Sequence, residues 1–218
     1  MLSEERIANN KKTILELIDQ IERPFDKEAF LNMLEQTDFY ETPASSRFHN
    51  NFRGGLCDHT IMVYNQLKML VMEEGLTDQI SNDSIIIVAL CHDLSKINFY
   101  EIYYKNQKVY CESGSKKDAG GRFDWVTVPA YKVKDADDRF IYSNHEHNSE
   151  YIAKSYIPLS TEESAAIVNH HCSISYDSVK DAGISSDVYR RYKLACLLHI
   201  ADMIASFVLE ETETWINL

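Results

Sequence analysis

The amino-acid sequence predicts a mainly α-helical protein with one small β insertion. Apolar residues recur at helical spacing in several long segments. Only 7 Gly and 4 Pro occur among 218 residues, so few positions interrupt a helix. Strand-like alternation is confined to a stretch between residues 99 and 140. We expect a single domain over residues 1–218, with N-terminal helices in 1–40 and the β excursion in 99–140.

Two helices are predicted before residue 40. Residues 3–22 carry apolar side chains at helical spacing, and Pro24 ends this helix. The segment "DKEAFLNMLEQ" predicts a second helix with Asp26 as its N-cap. Residues 41–55, "ETPASSRFHNNFRGG", are rich in turn formers and predict an irregular loop.

The middle of the chain predicts two more helices. Residues 56–73, "LCDHTIMVYNQLKMLVME", carry a helical apolar stripe. Residues 81–97, "SNDSIIIVALCHDLSKI", predict a capped helix so apolar that it must be central. The β-branched run in this segment also permits a strand, but the helical pattern extends further along the chain.

The segments "FYEIYYKNQKVYCE" and "GRFDWVTVPAYKV" predict a hairpin or a three-stranded insertion with "SGSKKDAGG" as its exposed tip. Helices resume afterwards. Ser143 with Glu146, and Ser160 with Glu163, each fit a capping box. Residues 186–211, "SDVYRRYKLACLLHIADMIASFVLEE", predict one last long helix.

Composition restricts the class of protein. The N-terminal residues are too charged for a signal peptide, and no apolar run approaches the length of about 18 residues that a membrane span needs, so we expect a cytoplasmic protein. Five widely spaced cysteines without a CxxC pair favour reduced thiols. A formal charge of −12 weighs against non-specific binding to nucleic acid. It does not exclude a phosphorylated substrate, because divalent metals can supply positive charge locally.

Polar side chains interrupt several apolar helical faces: His59, His92 with Asp93, His170 with His171, and Asp202. A lone buried His or Asp is usually satisfied by a neighbour. The joint pattern is harder to explain in that way, because an unpaired buried carboxylate is costly. Imidazole and carboxylate suit transition metals, and the number of candidate ligands favours two ions with a shared carboxylate.

The order of these residues resembles the HD-domain superfamily of metal-dependent phosphohydrolases. "FRGGLCDHTIMVY" is similar to the first motif of the branch with 3′-5′ exoribonucleases and prophage-encoded HD proteins. "HDLSK" contains the doublet that names the family and the Lys of its extended form. "NHEHNSEYIA", "AIVNHHCS" and "LLHIADMIAS" resemble the later motifs, with Asn144 in place of a usual Gly. The metal ligands that this resemblance implies are His59, His92, Asp93, His145, His170, His171 and Asp202.

The resemblance covers residues 38–207 and implies an HD-type helical bundle that hydrolyses a phosphate ester of a nucleotide or a related phosphodiester. Two divalent ions (Mn, Fe, Co, Ni, Zn or Mg) would acidify a water molecule, with Asp93 as the catalytic bridge. Lys96 would either balance charge on the phosphoryl group or form a salt bridge to Asp93. The substrate-binding candidates are Arg47, His49 and Arg53, in the loop before the first motif. His147 and His199 are expected to be surface or packing residues.

Three alternatives remain open at this point. The chain could be a 3′-5′ exonuclease acting on short single strands, a di-iron oxygenase on the same scaffold, or a catalytically silent binding module. The net charge favours a small phosphorylated substrate over a long nucleic acid. The sequence does not indicate an oligomeric state.

Overall fold

The computed structural model describes residues 2–171 and 186–210, which form seven labelled helices and one small sheet. The mainly α-helical prediction is confirmed. No helix among the described residues has both the length and the apolarity to cross a membrane. The helices are α1 (Glu4–Asp19), α2 (Lys27–Gln36), α3 (Gly55–Glu73), α4 (Asn82–Cys91), α5 (His145–Lys154), α6 (Thr161–Val168) and α7 (Lys193–Ile204). The strands are β1 (Tyr100–Tyr110), β2 (Lys116–Asp118) and β3 (Gly121–Val133).

The two N-terminal helices form as predicted. Ser3 caps α1 through a hydrogen bond from the backbone N–H of Arg6, and Asp26 caps α2 by accepting from Ala29. The loop between α2 and α3 is irregular. A Cβ on Gly55 would lie only 2.0 Å from the carbonyl oxygen of Asn50, so this close approach of the loop to the start of α3 requires glycine.

Helix α4 is the centre of the core. Every residue from Ile85 to Cys91 is buried, which confirms the central helix and rules out the strand alternative. The helix is shorter than predicted, because it ends at Cys91 with His92 as its C-cap. Asp93 has φ −113° and ψ 16°, outside the helical region, and a 3-10 turn follows at Leu94–Lys96.

The β insertion is a three-stranded antiparallel sheet in the order β1-β3-β2. Tyr100 pairs with Val133 at the base of the sheet, and Tyr110 pairs with Phe123 at the far end of the β1–β3 ladder. The segment predicted as the exposed tip contains a short additional strand, β2, which pairs with β3. The three-stranded form of the prediction is therefore the correct one.

The C-terminal half corrects two local predictions. Asn144, not Ser143, is the N-cap of α5, because its side chain accepts from the backbone N–H of His147. The capping box of Ser160 and Glu163 is confirmed, with both hydrogen bonds present. The predicted last long helix is interrupted: residues 186–191 are helical, Tyr192 is extended, and α7 ends in a π turn at Ala205–Leu209.

Candidate metal centre

The structure brings the seven predicted ligands together around the carboxylate of Asp93. They reach this point from elements that are far apart in the chain. His59 lies in α3, His92 and Asp93 at the end of α4, His145 at the start of α5, His170 and His171 just after α6, and Asp202 in α7.

The two oxygens of Asp93 face different groups of histidines. Oδ1 lies 2.6 Å from Nε2 of His145 and 3.6 Å from Nε2 of His170. Oδ2 lies 3.3 Å from Nε2 of His59 and 3.5 Å from Nε2 of His92. Asp93 therefore stands between two sets of nitrogen ligands, as a bridging carboxylate would.

Asp202 is the second carboxylate of the centre. Its Oδ1 lies 3.4 Å from Nε2 of His59, and its Oδ2 lies 3.6 Å from Nε2 of His171. The hydroxyl of Ser206 donates a hydrogen bond to Oδ1 over 3.1 Å. This bond, from the next helical turn, holds the carboxylate in place.

Two histidines are oriented by the helix ends that carry them. Nδ1 of His92 lies 2.8 Å from the carbonyl oxygen of Ala89, and Nδ1 of His170 lies 2.6 Å from that of Ile167. A carbonyl oxygen can only accept, so each Nδ1 carries the proton. In a neutral ring this leaves a lone pair on Nε2, the atom that faces Asp93.

The other three histidines have side chains as Nδ1 partners. Glu210 lies 2.5 Å from Nδ1 of His59, and Glu146 lies 3.1 Å from Nδ1 of His171. The hydroxyl of Ser95 lies 2.5 Å from Nδ1 of His145. All five rings thus turn Nε2 toward Asp93 or Asp202 and Nδ1 away from them. Acceptors at the outward nitrogen are the usual means by which proteins orient metal-binding histidines.

Burial differs among the residues of the centre. The side chains of His59, His92 and His170 are fully buried, and that of Asp93 is nearly so. The side chain of His171 is 42% exposed and that of His145 is 26% exposed. These two histidines are therefore the most solvent-exposed of the five.

Electrostatics favour ionised aspartates and lower the pKa of two of the imidazoles, those of His92 and His145. Burial would raise the pKa of Asp93, but the charges of Lys96 and His92 hold it well below its usual range. Burial would also raise the pKa of Asp202, but the charges of the neighbouring histidines outweigh burial and lower this pKa to about 2. Burial lowers the pKa of His92 to about 3 and also lowers that of His145.

His59 and His171 differ from His92 and His145, because the pKa of each is raised; for His171 burial is outweighed by the bond to Glu146 and the charges of Asp93 and Asp202. Burial alone would lower the pKa of His59, but hydrogen bonds to Asp93 and Glu210 and the charge of Asp202 raise it to about 10. Three carboxylates thus hold a proton on a fully buried ring. Such a concentration of negative charge is the environment that a cation would occupy.

The donor set fits divalent metal ions. Nε2 of His170 is buried without a hydrogen-bond partner, and buried nitrogens are rarely left in this condition. Nε2 of His59 and Nε2 of His92 face each other at 3.1 Å. The ligand atoms of Asp93, His145, His170 and His171 lie within 4.8 Å of one another, and so do those of His59, His92 and Asp93. No cysteine belongs to these groups among the described residues, and Cys172 lies outside those residues.

Lys96 contacts the centre directly. Its ammonium lies 2.6 Å from Oδ2 of Asp93, so the predicted salt bridge is present. Burial would lower the pKa of Lys96, but the charge and hydrogen bond of Asp93, together with the charges of Tyr100 and Asp202, raise it. The role of Lys96 toward a phosphoryl group stays a prediction.

The three predicted substrate contacts differ in position. His49 reaches the centre indirectly, through a 2.7 Å contact of Nδ1 with the second oxygen of Glu210. Arg53 instead forms ion pairs with Glu4 and Glu41, and Arg47 is exposed. Their binding of a phosphate stays a prediction.

His147 and His199 lie outside the centre, as expected. His147 is exposed and contacts Asn144, the N-cap of its own helix. His199 packs against Tyr189 and contacts the carbonyl oxygen of His170 over 2.5 Å. His199 therefore supports the segment that carries two candidate ligands.

Sequence reasoning missed the outer partners Glu210, Glu146 and Ser95. Glu146 and Ser95 adjoin motif residues, so the need of a ligating histidine for an Nδ1 acceptor could have pointed to them. Glu210 is 151 residues from His59 and follows an irregular turn. No local pattern marks it.

A comparison with curated proteins found a partial similarity to a phosphodiesterase. Over 58 residues, 26% of this chain, the sequence is 45% identical to a dihydroneopterin 2′,3′-cyclic phosphate phosphodiesterase of Methanocaldococcus jannaschii. The match spans 23% of the length of that protein. No family model and no solved structure matches the chain.

Proposed function

We propose that this chain is a metal-dependent phosphodiesterase of the HD type, formed by a single domain and acting on a small phosphodiester. The observation that carries the proposal is the orientation of five imidazole rings, each with Nε2 toward Asp93 or Asp202 and Nδ1 on an acceptor. The partial similarity to a cyclic phosphate phosphodiesterase supports the reaction class.

In this proposal the residues of the centre would hold two metal ions, and Asp93 would contribute to both sites. One set consists of His59, His92, Asp93 and Asp202, and the other consists of Asp93, His145, His170 and His171. The division follows the two oxygens of Asp93, which face the two sets separately. When bound, a pair of divalent ions supplies an acidified water molecule and positive charge for the phosphoryl oxygens.

The chain's own residues prepare the site for this reaction. Ala89, Ile167, Glu210 and Glu146 fix the tautomers of the ligating rings. Lys96 keeps its proton because it lies against Asp93. In this proposal its positive charge would lie beside the reacting phosphate. Negative charge that develops on the phosphoryl oxygens is stabilised by such a preorganised cation.

We propose a compact phosphodiester, such as a nucleoside 2′,3′-cyclic phosphate or a related heterocyclic ester, as the substrate. The similar protein of Methanocaldococcus jannaschii is named for a cyclic phosphate of this kind. The net charge of −12 disfavours long polyanions, which depend on clustered Lys and Arg.

A substrate panel tests this proposal. Full-length protein would be assayed with Mn²⁺, Co²⁺, Ni²⁺, Zn²⁺ or Mg²⁺ on nucleoside 2′,3′-cyclic phosphates, bis(p-nitrophenyl) phosphate, p-nitrophenyl phosphate and short labelled oligonucleotides. We expect hydrolysis of the first two compounds, lost in Asp93→Ala and retained in Glu163→Gln, which alters a buried carboxylate paired with Arg23. Absence of metal-dependent hydrolysis of any phosphodiester would refute the proposal, and stepwise shortening of oligonucleotides alone would replace it with exonuclease activity.

A further inference from the structure

We propose that Glu210 is a positioning residue that fixes the ring of His59 for metal binding, an inference that rests on the function proposed above. Glu210 directly follows the π turn at the end of α7. One of its oxygens lies 2.5 Å from Nδ1 of His59, and the other lies 2.7 Å from Nδ1 of His49.

The burial of Glu210 shows that this contact is specific. The side chains of Glu210 and His59 are both fully buried, and that of His49 is 17% exposed. A buried carboxylate is stable only with charged or hydrogen-bonding partners, and here each oxygen has one imidazole.

The consequence for His59 follows from hydrogen-bond chemistry. Each oxygen of Glu210 contacts one imidazole nitrogen and accepts a hydrogen bond from it, so Nδ1 of His59 carries a hydrogen toward Glu210. Nε2 is then the ring nitrogen that faces Asp93 at 3.3 Å and Asp202 at 3.4 Å. A carboxylate behind a ligating imidazole orients the ring and increases its basicity.

The π turn explains how Glu210 comes to face the centre. The backbone N–H of Glu210 donates to the carbonyl oxygen of Ala205, five residues earlier, over 2.9 Å. In a regular α-helix, Glu210 would lie about 80° around the axis from Asp202, since successive residues turn by about 100°. The wider turn accommodates one extra residue and reduces that angle.

The exposed side chains of the turn argue against a packing role. Phe207 is 75% exposed and Val208 is 74% exposed, so the turn does not serve to bury them. π turns are rare and occur frequently at functional sites. Here the turn delivers two side chains to the centre: Ser206 to Asp202, and Glu210 to His59.

Metal binding tests the inference without reference to catalysis. Co²⁺ would be titrated into full-length wild type, Glu210→Ala and Glu210→Gln, and followed by its visible absorption. We expect about 10–100-fold weaker binding in Glu210→Ala, the range typical of lost partners of metal ligands. Glu210→Gln keeps one acceptor oxygen without the charge, so its loss should be smaller. Glu163→Gln, a change at a buried carboxylate outside the centre, should bind Co²⁺ within twofold of wild type.

A second readout reports on the ring itself. In protein loaded with diamagnetic Zn²⁺, the Nδ1–H proton of His59 should give a downfield resonance in wild type that is absent in Glu210→Ala. Deletion of Val208, which removes the extra residue of the turn, should weaken Co²⁺ binding as Glu210→Ala does.

The outcomes separate the two proposals. A folded Glu210→Ala protein with wild-type Co²⁺ affinity overturns the role of Glu210, and if this variant does not fold, wild-type affinity in the Val208 deletion does the same. Wild type that binds neither Co²⁺ nor Zn²⁺ instead refutes the metal-dependent function itself.

Discussion

Replacement of Glu163 by Gln should destabilise the protein by an amount that the structure allows to be estimated. The Glu163 side chain is fully buried and accepts four hydrogen bonds. Two come from Arg23 at 2.8 and 2.5 Å, one from the hydroxyl of Ser84 at 2.7 Å, and one from the backbone N–H of Ser160 at 2.7 Å. These bonds join the segment after α1 and the start of α4 to α6, the helix that leads to His170.

The magnitude follows from the bonds that glutamine cannot make. The single oxygen of Gln keeps about two of the four bonds, and its NH₂ group faces donors at the other position. Hydrogen bonds to charged groups contribute about 1.5–3 kcal/mol each, and the partial exposure of Arg23 favours the low end, so we expect a loss of about 3 kcal/mol. For a chain of this size that corresponds to a Tm lower by about 6–12 °C.

The pH dependence provides the sharper test. Burial alone would raise the pKa of Glu163, but the hydrogen bonds from Arg23, Ser160 and Ser84 and the charge of Arg23 together lower it below its ordinary value of 4.5. The carboxylate therefore stabilises the fold fully above the ordinary pKa, and this contribution is lost as pH falls through the lower folded pKa. The Tm gap between wild type and Glu163→Gln should be constant from pH 6 to 8 and should narrow below about pH 4.5.

Thermal denaturation followed by circular dichroism measures this gap. Glu16→Gln is the matched control, because Glu16 is exposed and pairs with Lys12 at 3.6 Å on the surface. We expect it to change stability by less than about 1 kcal/mol. A Glu163→Gln protein within 2 °C of wild type at pH 7, or an undiminished gap at pH 4, would refute the reasoning.

Three further predictions concern the centre and its supports. Removal of divalent metal with EDTA should lower the Tm of wild type by about 5–11 °C if metal was present at about 100 times Kd, and should leave Asp93→Ala unchanged, as scanning fluorimetry would show. Lys96→Met should lower kcat on bis(p-nitrophenyl) phosphate by about 100-fold or more. Mn²⁺ should bind to this variant at least as tightly as to wild type, because a cation 2.6 Å from Asp93 has been removed. Weaker Mn²⁺ binding in calorimetry would contradict this prediction. Asn144→Ala should cost about 1 kcal/mol in urea denaturation as the loss of the α5 cap, and Ser143→Ala about 0.5 kcal/mol or less; equal losses would argue for Ser143 as the cap.

Local sequence patterns predict the helices of this protein well. Apolar spacing reports which face of a segment is buried, and capping residues report where a helix begins, as Asp26 and Ser160 show. The same patterns fail at helix ends that tertiary contacts decide. Helix α4 stops at Cys91 although apolar residues continue, because His92 and Asp93 turn toward residues of four other segments.

The sequence predicts the candidate metal ligands better than it predicts the residues that hydrogen-bond to them, such as Glu210. Six of the seven ligands are polar residues in apolar segments, which is a local anomaly that the sequence displays, whereas His145 lies in a polar segment and is predicted only by the family resemblance. Glu210 is not anomalous, since it lies in an acidic C-terminal stretch and only the π turn brings it to His59. Contacts between residues 151 positions apart leave no periodic trace in the sequence.

The C-terminal ends of two helices both orient ligating histidines and add negative charge to the centre. Helices α4 and α6 both end beside it, and in each case a histidine donates Nδ1–H to a carbonyl oxygen of the last turn. That bond satisfies a carbonyl group that the helix itself leaves unpaired. The C-terminus of a helix also carries partial negative charge, which favours a cation by about 0.3–1 kcal/mol.

A buried histidine is usually a core residue whose two ring nitrogens both have partners. For His92 and His170 the backbone provides a partner for only one of the two nitrogens. For His92 and His170 the backbone satisfies Nδ1, but it cannot satisfy Nε2 on the opposite side of the ring. Nε2 of His170 is buried and has no hydrogen-bond partner, and Nε2 of His92 faces the Nε2 of another histidine. If such a histidine were purely structural, its replacement by an apolar residue would stabilise the protein. A cation bound between these nitrogens would offset the cost of burying them, which is why the geometry of the rings, more than their number, supports a metal centre.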